Sequence, residues 1–550
     1  MTRYKLRLLL LLSLVLLAAP SQAGVSRALL DIHERLYLER DGSQIFSDAT
    51  VYEPALVNEF YQARNYEPAW VDADYVGEML QLLKSSEDEG LHPADYHYDQ
   101  LLALREEYRK PWSDKDYLRA KAEVLLTDGI LLYAKHLMQG KVDPRTLDAS
   151  WNYARVKLNP ESVARNLSTA IAQQRVSEQL SQLKVDTGFY ALMKRQLQRY
   201  RQLAREENFS PIPEDVVLHP GDRGANVRLL RDRLKQMSYL AQEAPASDHF
   251  DAAVETAVRQ MQRDHDLDTD GVVGRQSFQV LNMSYSDKVD SLRVNLDRLR
   301  WINPEVSNDF IVVNIAGYEL YYLRERDLQW QTPVMVGTID TRTPIFQARL
   351  RYMEFNPTWN TPRSLIVRSL FPKFKANPQY VIDKRYKLYD GNGAEVDPLA
   401  VDWNRYTAGS FPYRVVQMPG PANAMGRVKF MFPNRHAVYL HDTPSRALFS
   451  RSQRAFSAGC IRVKNPLELA RVLLDDPQNW SAADIQALVD SRSPQQVVRV
   501  DRDIDVLLMY WTASPVGSDR IQFHHDIYGL DPMALAALDA PPTAAAFGRD

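Results

Sequence analysis

The chain changes its hydrophobic period once, near Asp287, and that change limits the folds open to it. Upstream, apolar residues recur three and four apart, as in Val227, Leu230, Leu234 and Met237, and again in Phe250, Val254, Val258 and Met261. This is the spacing of helix faces turned to a core. Downstream the pattern alternates. Phe310–Ile315, Tyr318–Leu323, Thr332–Val336, Val428–Phe432 and Ala437–His441, rich in Val, Ile, Tyr and Phe, are predicted strands. The sequence therefore predicts a multidomain α+β protein, and 550 residues suggest three or four domains rather than one core.

From about Val25 to Pro211 the pattern is helical, with apolar-periodic stretches at Tyr117–Met138 and Leu180–Leu203. Gly140-Lys141-Val142-Asp143-Pro144 ends the first of these. Phe60-Tyr61, Pro68-Ala69-Trp70 and Trp151-Asn152-Tyr153 are expected to anchor packing, and the basic stretch Lys194–Arg205 to be a solvated helix face. No catalytic cluster occurs here, so the region is expected to be a scaffold. Pro211–Asp215 forms a joint, after which a compact unit begins at Leu218. Its loop from Asp266 to Gly271 imitates the start of an EF-hand, but the twelfth position is Ser277, which offers no carboxylate, so a turn held by Asp side chains and Gly271 is expected. In the β-rich part, a polar, aromatic excursion between Ser364 and Pro412 is expected to form a lid.

At the N-terminus, Arg3, Lys5 and Arg7 precede the apolar run Leu8–Ala19, and Ser21-Gln22-Ala23 supplies small residues for cleavage after Ala23. The run would rise only about 18 Å as a helix against a hydrocarbon core of roughly 30 Å, which favours an export signal over a permanent span. If uncleaved, it would tether the chain to the inner membrane. The net charge of -3 gives no general attraction to nucleic acid. Export leads to an oxidising compartment, yet the chain has one cysteine, Cys460, so no internal disulfide is possible.

A thiol must become a thiolate to attack an amide, and a neighbouring imidazole favours that state. On a strand through Ala437–His441, Tyr439 and His441 project from one face and address one cleft. His441 is thus the candidate base, and Asp442 offers a carbonyl and a carboxylate to fix its tautomer. Gly459 lets a carbonyl approach backbone N–H groups closely enough to form an oxyanion hole. Ser457 is a candidate donor into the site, and Arg462 a candidate partner for a carboxylate of the substrate or of the protein. His524, His525 and Asp526 are adjacent, so on a strand they point to opposite faces, and no metal site or cofactor is expected. His136 and His436 are expected in structural or surface roles.

Two resemblances extend this reading. The unit at 216–284 resembles the small three-helix peptidoglycan-binding domains through Gly221-Asp222-Arg223-Gly224, Phe250-Asp251 and Asp270-Gly271-Val272-Val273-Gly274. Tyr439-Leu440-His441-Asp442-Thr443-Pro444 with Ser457-Ala458-Gly459-Cys460-Ile461-Arg462-Val463 resembles the active-site signature of the L,D-transpeptidase (YkuD-type) catalytic domain. That resemblance extends to Gly337, Thr343-Pro344, Asn356-Pro357-Thr358-Trp359 with Pro362, Gly420-Pro421-Ala422-Asn423, Lys429-Phe430, Phe432-Pro433-Asn434 and Asp526-Ile527-Tyr528-Gly529. The whole mature chain resembles the large multidomain L,D-transpeptidases of Gram-negative bacteria.

The resemblance implies a signal peptide at 1–23, a helical scaffold at 24–215, a peptidoglycan-binding unit at 216–284, and a β-rich catalytic domain at 285–510 with a lid insertion at about 364–412. The segment 511–550 is expected to pack back and end in a flexible tail. It further implies a periplasmic enzyme in which Cys460 is acylated by a tetrapeptide stem, releases D-alanine, and passes the acyl group to a diaminopimelate amine in a 3-3 cross-link. His441 would be the base, with Tyr439, Ser457, Gly459, Arg462 and Asp442 around them. Implied partners are peptidoglycan stems as donor and acceptor, carbapenems as covalent inhibitors, and other wall-synthesis enzymes. Two alternatives remain: a non-catalytic wall-binding scaffold, and the same thioester passed to water or to a lysine of an envelope protein.

Overall fold

The structure, a computed structural model, describes residues 22–39, 45–148, 150–152, 155, 157–208, 210–265, 267–302 and 306–544. The export-signal expectation for 1–23 falls almost wholly outside these residues, as do Tyr153, Asp266 and the end of the expected tail. Among the described residues no helix is long and apolar enough to cross a membrane.

The protein is a multidomain α+β protein. Its N-terminal part comprises α1 (Gln22–Glu39), α2 (Pro54–Ala63), α3 (Ala73–Lys84), α4 (Tyr98–Tyr108), α5 (Lys115–Gln139), α6 (Pro160–Ala172), α7 (Val176–Gln182) and α8 (Gly188–Glu206). The central α5 is buried on nearly all sides, and its acidic side chains serve as fixed acceptors. Glu123 accepts from the amides of Ala69 and Trp70 at 2.8 and 3.1 Å, and Asp128 accepts from the amides of Tyr52 and Glu53 and from His97. Satisfied in this way, two buried carboxylates tie loops to the helix instead of destabilising it. Gly140 ends α5 by taking φ +75°, and no side chain fits there, because a Cβ would lie 2.6 Å from the Trp301 ring.

The periodic stretch Leu180–Leu203 divides into α7 and α8, since Thr187 caps a new helix by accepting from the amide of Tyr190. The expectation that Lys194–Arg205 is simply a solvated face needs correction. Lys194 pairs with the buried carboxylate of Glu89, and Arg201 donates to the carbonyl of Glu87 at 2.6 Å.

A small unit follows, with α9 (Ala225–Gln236), α10 (Ala252–Asp264) and α11 (Arg275–Leu281) around its own core of Leu230, Leu234, Phe250, Val258, Met261 and Phe278. Asp270 accepts from the amide of Val272, and Gly271 takes φ +74°, so the EF-hand-like loop is an Asx turn. Helix α12 (Tyr285–Arg300) then runs along α8 and joins the scaffold to the rest. Its Asp297 accepts from the amides of Lys141 and Val142, and Arg300 is buried against Tyr190 and Glu89.

The β-rich part contains β1 (Asp309–Asn314), β2 (Glu319–Arg324), β3 (Asp327–Gly337), β4 (Phe346–Phe355), β5 (Trp359–Asn360), β6 (Tyr386–Tyr389), β7 (Glu395–Val396), β8 (Arg414–Gln417), β9 (Val428–Met431), β10 (Leu440–His441), β11 (Ala455–Ser457), β12 (Ile461–Val463), β13 (Gln496–Met509), β14 (Ala513–Val516) and β15 (Arg520–Phe523). The main sheet has the order β11-β3-β12-β10-β9-β4-β13-β1-β2. Because β3 pairs with β12 near Met335 and with β2 over Asp327–Pro333, the sheet closes on itself. The excursion after β5 is a subdomain with a second sheet, β5-β8-β6-β7, and its own core of Phe374, Leu388, Trp403 and Phe411. Strands β14 and β15 and a final helix over Asp531–Asp539 pack back, with Asp531 accepting from Arg298 and Thr512 at 2.6 Å each.

The joint between scaffold and α12 yields a prediction. Burial pushes the Glu89 carboxyl up, but Arg300, Lys184, Lys194 and Tyr190 outweigh this and hold it at about 2, against 4.5 ordinarily. Its stabilising contribution is therefore complete above pH 4.5 and is lost as pH falls through about 2. Glu89→Ala leaves Arg300 buried without this partner, at a cost on the order of 3 kcal/mol in urea unfolding at pH 7. The difference from the parent protein should shrink as the pH is lowered from 4.5 towards 2.

Candidate active site

The site is built by strand register. Strand β10 pairs in parallel with β12, placing Leu440 opposite Ile461 and His441 opposite Arg462. On its other side it pairs antiparallel with β9, placing Leu440 opposite Phe430 and His441 opposite Lys429, and β9 in turn sets Lys429 opposite Glu354 of β4. Opposed residues share a face and successive ones alternate. Ile461, Leu440, Phe430 and Met353 are therefore core, each fully buried. Arg462, His441, Lys429 and Glu354 form a row across four strands on the other face. The amide of Ile461 donates to the carbonyl of Tyr439 at 3.1 Å, which extends the pairing and sets Tyr439 beside Cys460 on that same face. The rings of Tyr439 and His441 lie edge to face at 5.6 Å, and the Lys429 ammonium sits 4.8 Å from the centre of the Tyr439 ring.

The strand predicted over Ala437–His441 is shorter than expected, covering only Leu440–His441. Ala437 takes φ +53°, and Asn434 fastens the turn by accepting from the amides of His436 and Val438 and donating to the carbonyls of Phe432 and Val438. Tyr439 and His441 nevertheless share a face as the alternation required.

Cys460 follows a turn held from several sides. Gly459 takes φ +112°, open to glycine at little cost, while a Cβ there would meet only ordinary contacts. Its carbonyl accepts from Thr343 Oγ1 at 2.8 Å, and Thr343 Oγ1 accepts from the Gly337 amide at 2.9 Å. Tyr528 Oη accepts from the Thr343 amide and donates to the Gly337 carbonyl. A Cβ on Gly337 would fall 2.0 Å from the Thr341 carbonyl oxygen, so no other residue fits that turn.

Ser457 and Asp442 each also fasten a turn beside the cleft. Ser457 Oγ accepts from the Gly459 amide at 3.1 Å, shaping the turn, and this occupies one expected oxyanion donor. The amide of Cys460 has no hydrogen-bond partner among the described residues. Oδ2 of Asp442 accepts from the amide and Nε of Arg427 at 3.0 and 2.7 Å and holds a turn, and the carbonyl and carboxylate of Asp442 both act on the imidazole.

Burial pushes the Cys460 thiol above its ordinary pKa of 9.0, while the amide and hydroxyl of Tyr439 and the charges of Lys429 and Arg462 pull the other way. The thiol lies 3.8 Å from the Ala437 carbonyl, and among the described residues no hydrogen bond joins it to His441. Burial, reinforced by Arg462 and Lys429 and opposed by the carbonyl and carboxylate of Asp442, lowers His441 to about 3. The imidazole is thus neutral at ordinary pH, with a lone pair free of its own proton but with lowered basicity. Its Nδ1 has no partner among the described residues, nor has the buried Nε of Arg462.

Sequence reasoning left two neighbours without a role. Lys429 entered only as a marker of resemblance, and Glu354, 3.4 Å from its ammonium, did not enter at all. Only register brings them to the row. The residues His524, His525 and Asp526 diverge: His524 meets Ser514, His525 faces Gln279, and Asp526 accepts from Tyr510 and two amides. Among the described residues no three His, Cys, Asp or Glu side chains are grouped to hold a metal. His136 is buried against Tyr96, and His436 lies against Phe346.

Comparison with known proteins adds to this geometry. Residues 55–197 match a family described as a scaffold domain, residues 223–281 one described as "Putative peptidoglycan binding domain", and residues 308–490 the L,D-transpeptidase catalytic domain. A protein of Haemophilus influenzae named "Putative L,D-transpeptidase" is 37% identical over 262 residues, which cover 47% of this chain and 52% of that protein. The chain thus spans about half the length of this relative. Among solved structures, an L,D-transpeptidase from Xylanimonas cellulosilytica is 15% identical, with 55% of this chain and 99% of that one covered and a TM-score of 0.18. A fused zinc-dependent amidase/peptidase/peptidoglycan-binding domain protein from Clostridium acetobutylicum is 13% identical, with 53% and 99% covered and a TM-score of 0.14. Three family models thus fall on successive parts of the chain, that of the L,D-transpeptidase catalytic domain at 308–490 following those of a scaffold domain and a peptidoglycan-binding domain.

Proposed function

We propose that the protein is an exported, periplasmic cysteine acyltransferase that forms 3-3 cross-links in peptidoglycan, with Cys460 as nucleophile and His441 as general base. The observation that carries this reading is the shared sheet face: a lone thiol, a neutral imidazole and two cations stand on adjacent strands in one row and its neighbour. A neutral His441 takes the thiol proton as sulfur attacks the carbonyl of the third stem residue. The free amide of Cys460 donates to the oxyanion, and Lys429 and Arg462 supply positive potential. On collapse the C–N bond breaks, His441 returns the proton to the departing amine of D-alanine, and a thioester remains. The side-chain amine of a second stem then attacks the thioester, gives a proton to His441 and releases the thiol. The two cations also favour stems, which carry carboxylates, and carbapenems that acylate the same sulfur.

Purified tetrapeptide muropeptides test the reaction. The parent protein should yield 3-3 dimers by mass analysis and Cys460→Ala none; a shortened tripeptide without dimer would show water to be the acceptor, and unimpaired cross-linking by Cys460→Ala would overturn the proposal. His441→Ala should reduce turnover by about 10²–10⁴-fold, the range of general-base catalysis. Because His441 titrates near 3 and the thiol above 9.0, iodoacetamide alkylation should climb with pH towards the thiol ionisation and show no step near 6.5. His441→Ala should also slow alkylation at neutral pH, and equal rates would remove the histidine from thiol activation.

A further inference from the structure

A cavity of about 380 Å³ lies away from Cys460, where the peptidoglycan-binding unit, α12 and the catalytic half meet. One wall carries neutral amides from α11 and its cap, Gln276, Gln279 and Asn282, three residues apart and so on one helix face, and of these Asn282 is taken up by the amide and carbonyl of Ile212 at 2.9 Å each. Gln276 exchanges hydrogen bonds with Ser452 at 3.1 and 3.4 Å, whereas Gln279 makes a single 3.5 Å contact with His525 among the described residues.

Lys288 of α12 lines the same cavity. Only 6% exposed, it is surrounded by the rings of Tyr200, Tyr285 and Phe523 at 5.2–5.7 Å, and among the described residues it has no ion pair and no hydrogen bond. The carboxylate of Glu207, which acts on it from nearby, is committed to Arg233 and to the amide of Tyr285. Burial accordingly lowers the ammonium to about 8. The other charges in the walls are engaged: Asp531 by Arg298, Asp526 by Tyr510 and two amides, Arg454 by Glu319, and Glu214 by Asn282. Lys288 is thus the one charge lining this cavity, among the described residues, that lacks a polar partner.

We propose that this cavity is a second ligand site, which takes the free terminal carboxylate of a short peptide on Lys288 and a peptide group on Gln279. A single unpaired cation suits one carboxylate and not a polyanion. The donor and acceptor of the Gln279 amide match the N–H and C=O groups of a peptide. The volume admits a few residues and no folded partner. That the peptide is a wall stem rests on the function proposed above; the carboxylate site does not.

The test uses full-length protein alkylated at Cys460 and calorimetric titration with the stem tetrapeptide, its C-terminal amide, and acetyl-trialanine. The acid should bind about tenfold more tightly than the amide, the worth of one charge-assisted hydrogen bond. Lys288→Met should lose that preference, and Gln279→Leu should weaken acid and amide alike. Both variants should melt with the parent; if Lys288→Met does not fold, the acid–amide comparison and Gln279→Leu still decide. Acid and amide binding equally, or undiminished preference in Lys288→Met, would overturn the site, as would no binding to the parent. Binding of acetyl-trialanine equal to that of the stem would keep the site and remove the wall stem as its specific ligand. Failure to form 3-3 dimers in the muropeptide assay leaves these titrations unaffected.

Discussion

The parallel pairing of β10 with β12 is the constraint on which the candidate site depends. Slipping either strand by one residue would send His441 or Arg462 into the core and bring Leu440 or Ile461 out, because side chains alternate strictly across a sheet. The register is fixed from the inside, by four apolar residues on four neighbouring strands that have no other place to go. The chemistry on one face is therefore specified by hydrophobic burial on the other. The same argument carries Lys429 and Glu354 to the site across two further strands.

A second layer of organisation is polar. The turn before Cys460 is fastened by Thr343, Gly337 and Tyr528, which come from two separate stretches of chain and satisfy one another in a buried network. Tyr528 belongs to the segment that returns after the main sheet is complete. The position of the thiol thus depends on the C-terminal segment as well as on its own strand, and buried networks of this kind hold one geometry because each member is costly to leave unpaired. Asp442 and Ser457 likewise define turns around the cleft.

Much of this was legible in the chain. The change of period separated helical from β-rich parts, and the alternation through Tyr439 and His441 placed both on one face even though only Leu440–His441 forms the strand. Ser457 and Asp442 were harder to read. Each carries a group suited to catalysis, but the turn that each also fastens depends on Gly459 and Arg427, whose amides reach them only in the folded chain. Lys429 and Glu354 are far from Cys460 in sequence, and strand pairing is a non-local property that no local pattern reports. The split of Leu180–Leu203 into two helices turned on a single cap at Thr187, a small local preference that outweighed a continuous apolar stripe.

The burial that raises the Cys460 thiol also bears on its chemical survival. Oxidants and foreign disulfides react with the thiolate, so a sulfur kept protonated and partly covered is a slow target for both. The chain holds no second cysteine with which a sulfenic acid could close to a disulfide, and oxidation of this atom would have no internal route of repair. Durability towards oxidants and low reactivity of the resting thiol then have one physical origin, the desolvation of a single sulfur atom.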